Sequence, residues 1–80
     1  MEGLLAAAKG RVMARFRFCL VASPQRPVVE VSVRDIGELH AAIDRSRYVE
    51  GRLVECDGEE ADCDVLIPVG RIQMILAADG

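Results

Sequence analysis

Between residues 15 and 76, apolar side chains recur at every second position in five stretches and at helical spacing in one. In the first stretch Phe16, Phe18 and Leu20 alternate with Arg15, Arg17 and Cys19. A period of two puts the two sets on opposite faces of a strand, here one apolar and one wet. Val29, Val31 and Val33 alternate with Glu30, Ser32 and Arg34 in the same way, and their β-branched side chains favour the extended backbone. Ser23-Pro24-Gln25-Arg26-Pro27 separates the two runs. Its prolines lack backbone donors and forbid helix, so it reads as the turn of a hairpin with a loop of about five residues.

The period then changes. Ile36, Leu39 and Ile43 fall on one face of a helix running from Ile36 to about Arg45, with Ala41 and Ala42 adding propensity. Asp35 suits the N-cap, and Glu38 three residues on completes an Asp form of the capping box. Period two returns at 48–54, where Val49, Gly51 and Leu53 share a face. A glycine inside a strand signals a bulge or the close approach of another backbone. Asp57-Gly58 is a turn signal. Cys63, Val65 and Ile67 then share one face of a returning strand. Pro68 breaks it, and Ile72, Met74 and Leu76 mark a last one. Val69, Ile72 and Leu76 would also fit a helix opened by Pro68; the strand is the reading adopted. Residues 2–9 could form a short helix ended by Gly10. The order is therefore strand, strand, helix, strand, strand, strand. This is a small α+β domain with a mostly antiparallel sheet, flat or curled into a partial barrel.

Eighty residues make one domain, 1–80, with 1–12 either a frayed arm or an overextended start before Met13. A domain of this size hides only roughly 60–65% of the surface of its unfolded chain, so self-association is a natural way to bury more. No apolar run exceeds five residues, far below the ~20 that a membrane helix needs. Three cysteines without a secreted-scaffold spacing point to a reducing, cytoplasmic setting. The net charge of −3 is unevenly spread: residues 1–34 carry +4 and residues 35–80 carry −7. Such polarity suits pairing with a copy of the chain or with a charged partner, although solvated faces explain it as well. Nine of the ten basic residues are Arg and Ala is frequent, a bias that a GC-rich genome produces without selection for guanidinium chemistry.

Most of the suggestive chemistry lies in Glu55–Asp64, ECDGEEADCD, which holds six of the thirteen acids and two of the three cysteines. Read as a loop, it could bring Cys56 and Cys63 face to face at its base, close enough for a redox-sensitive pair, although two buried free thiols are the more ordinary reading. Cys56, Cys63 and His40 are also weak zinc candidates, because structural zinc wants four ligands and cysteines two to four apart. Asp57, Glu59, Glu60, Asp62 and Asp64 do not follow the calcium-loop order. His40, the single histidine, borders the apolar helix face, where a boundary role is the ordinary one. No nucleophile elbow, phosphate loop or dinucleotide fingerprint is present. No catalytic residue and no cofactor are assigned.

Arg15, Arg17, Arg34 and Arg52 would line the wet face of the sheet and could meet phosphates. That face lacks stacking aromatics, since Phe16 and Phe18 point the other way, and the net charge is acidic. Nucleic acid is therefore a possible partner but not the favoured one. Residues 48–76, about a third of the chain, resemble the second half of an Sm-like barrel at Gly51, Asp57, Leu66-Ile67 and Ile72. The resemblance implies a closed ring of copies. The family's Asn after the turn Asp and its Arg-Gly pair are absent, and so are its RNA-binding residues. The helix also follows two strands instead of preceding them. The expected function is a non-enzymatic interaction module that self-associates or meets another protein. Its surface would comprise Arg15, Arg17, Arg34, Arg52, Asp57, Glu59 and Glu60. The alternatives are nucleic-acid binding, or metal or redox sensing through Cys56 and Cys63.

Overall fold

The computed structural model describes residues 12–78; the helix expected at residues 2–9 lies outside them. The elements are β1 (Ala14–Leu20), β2 (Val28–Val31), α1 (Ile36–Ile43), β3 (Tyr48–Cys56), β4 (Glu59–Pro68) and β5 (Ile72–Ala77), with one 3-10 turn (Val69–Arg71) before β5. All pairings are antiparallel, and the strands lie side by side in the order β4-β3-β2-β1-β5. The α+β class and the element order are those the sequence indicates. Among the described residues β4 and β5 each end the sheet, and no further strand lies beside either.

The inner face is built by the alternation itself. Phe16 and Phe18 of β1 lie opposite Val29 of β2 and Ile75 of β5, respectively. With Val31, Val33, Val49 and Ile67 they form the core, and Leu39 of α1 is packed into it at 1% exposure. Asp35 starts α1 as the spacing implies: its side chain accepts from the Glu38 N–H at 2.9 Å. The Glu38 carboxylate reaches back one residue further than in the usual box, accepting from the Arg34 N–H at 2.7 Å.

Gly51 permits a close approach of β3 to β2. A Cβ there would stand 2.6 Å from the Glu30 carbonyl oxygen and 2.6 Å from Val29 Cγ1. β3 thus lies closer to β2 at this point than any side chain would allow, the close approach that a glycine inside a strand signals.

Three boundaries differ from the sequence reading. The first hairpin loop spans residues 21–27, because β1 ends at Leu20 and β2 starts at Val28; β2 stops at Val31 and leaves Val33 beyond it. The Phe18 N–H still donates to the Pro27 carbonyl at 2.9 Å, so the pairing continues past the assigned strand. Pro68 does not break β4 but closes it opposite Tyr48, which an edge strand tolerates because nothing among the described residues needs its missing donor. The largest correction concerns Glu55–Asp64. It is not a loop: β3 runs to Cys56, β4 starts at Glu59, and only Asp57 and Gly58 turn. Both have positive φ, 56° and 84°, the geometry of a two-residue hairpin turn that Asp-Gly favours.

Candidate functional site

The pairing register assembles the wet face of the sheet. Arg15 lies opposite Glu30, Glu30 opposite Arg52, and Arg52 opposite Asp64. One row across four strands therefore alternates in charge. Arg15 Nε donates to Glu30 Oε2 at 3.4 Å. Arg52 Nη1 donates to Asp62, and its Nη2 stands 3.6 Å from Asp64 Oδ1. The Asp62 hydrogen bond, then the charges of Asp62 and Asp64, raise the pKa of Arg52, so the guanidinium stays charged at every accessible pH.

Arg15, Arg17 and Arg52 thus share a face, with Glu30 between Arg15 and Arg52. Arg17 Nη1 donates to the Arg26 carbonyl at 3.2 Å. Arg34 stands apart at the start of α1, 3.5 Å from Glu38 Oε2. A face with this alternation attracts a polyanion far less than four unpaired arginines would.

The acids of the hairpin divide by position. Asp62 and Asp64 belong to the charge row, Asp57 sits in the turn, and Glu59 and Glu60 open β4 opposite Cys56 and Glu55. Glu55 and Glu60 place like charges directly across from each other, an unfavourable pair.

The cysteines do not face each other. Cys56 is opposite Glu59 and Cys63 is opposite Leu53. Four residues of β4 separate the two levels, roughly 13 Å at ~3.3 Å per residue, against a limit of about 7 Å between Cα atoms for a disulfide. All three cysteines are free. Burial, then the charges of Asp57 and Glu55, push the Cys56 thiol up, away from a reactive thiolate. His40 lies on α1, and no group of three or more His, Cys, Asp or Glu suited to a metal ion forms among the described residues.

Another feature was not singled out in the sequence. A groove of about 420 Å³ separates α1 from β5, lined by Ile36, His40 and Ile43 on one side and by Ile72 and Ile75 on the other. On the opposite face of β5, Met74 is 51% exposed and Leu76 44%. The signal was available: Ile72–Ala77 is uncharged and, Gln73 apart, apolar throughout, which reads as a central strand, yet among the described residues it lies at an edge. No helix among the described residues is long and apolar enough to cross a membrane. No protein-family model, no curated protein and no solved structure matches the chain, so the likeness to the Sm-like barrel stays one of local pattern.

Proposed function

We propose that the chain is a non-enzymatic, cytoplasmic interaction module that assembles with copies of itself. The observation that carries this reading is the exposure of large apolar side chains on both edge strands: Leu66 of β4 and Met74 and Leu76 of β5. Edge strands offer unpaired backbone groups as well, and most proteins protect them. A thin core makes added burial in an assembly worth more. Three free cysteines fit a reducing compartment.

Light scattering on an eluting peak tests the reading. A discrete multiple of 8.7 kDa is the expected result, and a single species at that mass across the micromolar range would refute it. Nucleic-acid binding through Arg15, Arg17 and Arg52 is the competing reading. It requires affinity that falls steeply with salt, and the interleaved Glu30, Asp62 and Asp64 weigh against it.

A further inference from the structure

The two sheet edges are chemically opposite. β4, EEADCDVLIP, carries four acids and ends in a proline. Charged side chains and proline are the usual means of blocking strand addition. β5, IQMILA, has no charge, no proline and no glycine. Two β4 edges would repel each other. A β4 edge against a β5 edge would strip water from carboxylates and offer no cation from β5 in return. Two β5 edges meet neither obstacle.

We propose that the partner of β5 is the β5 of a second copy, paired antiparallel across a two-fold axis. This rests on the self-association reading and specifies its surface. The backbone is prepared for it. The Ala78 N–H donates to the Arg15 carbonyl at 2.9 Å, and Arg17 and Cys19 lie opposite Leu76 and Met74. Antiparallel ladders alternate, so if Ala78, Leu76 and Met74 bond to β1, the N–H and C=O groups of Ala77 and Ile75 point to the open edge. Among the described residues no strand meets them there. With Ile75 opposite its own copy, Met74 of one protomer stands across from Leu76 of the other, covering the two exposed side chains of the outer face. On the inner face, the groove beside α1 lies along this edge and receives apolar side chains of the added strand. The arrangement is isologous and closes at two copies.

The test uses the full chain. Met74→Glu with Leu76→Glu changes two exposed positions. Leu76→Glu also faces Arg17 within the protomer, so the fold is retained, while four carboxylates crowd the proposed interface. Leu66→Lys is the control on the other edge, where Glu50 lies opposite. The wild type should run at twice 8.7 kDa and the double variant at 8.7 kDa with an unchanged circular dichroism spectrum, while Leu66→Lys stays dimeric. Amide exchange gives a second readout: Ile75 and Ala77 should be protected in the wild type and lose protection on dilution. A wild-type monomer would overturn both this proposal and self-association. An oligomer that survives the double variant, dissociates with Leu66→Lys, or exceeds two copies would overturn this proposal alone. Protected Ile75 and Ala77 amides in an 8.7 kDa species would also overturn it, since another part of the same chain would then cover the edge.

Discussion

Replacing Gly51 by alanine isolates the close approach of β3 to β2. The added methyl would sit 2.6 Å from a backbone oxygen of Glu30 and from a Val29 methyl that is itself 0% exposed. Neither neighbour is the free end of a flexible side chain, so strands β2 and β3 must separate. Overpacking of this kind costs about 1–3 kcal/mol, and separating β2 from β3 also strains the ladder that carries the charge row. Against it, alanine regains roughly 0.5–1 kcal/mol of backbone entropy. The net expectation is a loss of about 1 kcal/mol, or ~4–8 °C in Tm for a domain of this size. Gly70→Ala is the matched control, because no atom lies within 4 Å of its added methyl. It should be neutral or stabilising by about 0.4–1 kcal/mol. Urea and thermal melts of both variants decide the matter. Equal stability of the two would show that β3 and β2 are not pressed together at Gly51, and the account of the sheet would fail there.

Asp35→Ala removes the acceptor for the Glu38 N–H and should cost about 0.5–2 kcal/mol in a urea melt. Glu60→Lys turns the like-charge pair with Glu55 into an attractive one and should stabilise by about 0.2–1 kcal/mol, an advantage that shrinks in high salt. The raised Cys56 thiol favours its protonated form in the folded state. Its contribution is whole below the ordinary thiol range and is lost as pH rises through the folded value. Wild type should therefore lose stability relative to Cys56→Ser between pH 7 and pH 10, and a constant difference would contradict the shift. Under oxidised glutathione no bond should form between Cys56 and Cys63 within one chain; a linked peptide by mass spectrometry would refute the register of β3 on β4.

The strands and helix were legible because each buries one face, so Phe16, Phe18, Val29, Val31 and Leu39 leave a period in the sequence. Glu55–Asp64 was misread because its residues near the turn bury neither face, and polar residues without a period look like a loop. The Asp-Gly pair, taken with the apolar strands on either side, was the better guide to length. The charge row was illegible for a different reason. Arg15, Glu30, Arg52 and Asp64 come from four strands, and only long-range register sets them in line. The groove and the bare edge of β5 were hidden likewise, since local pattern says that a strand is apolar but not where in the sheet it falls.

The seam between β1 and β5 joins residues about sixty positions apart, Phe16 to Ala77, whereas β3 and β4 are joined through two. A chain made from its N-terminus can close the β3–β4 hairpin as soon as residue 68 is free. Phe18 has to wait for Ile75, which emerges after the whole β3–β4 hairpin. Throughout that interval the two phenylalanines lack one wall of their enclosure, and the order of synthesis prolongs their exposure. Such non-local pairing is slow and open to wrong partners, and any brake on the ribosome after residue 68 lengthens the time for which they need protection.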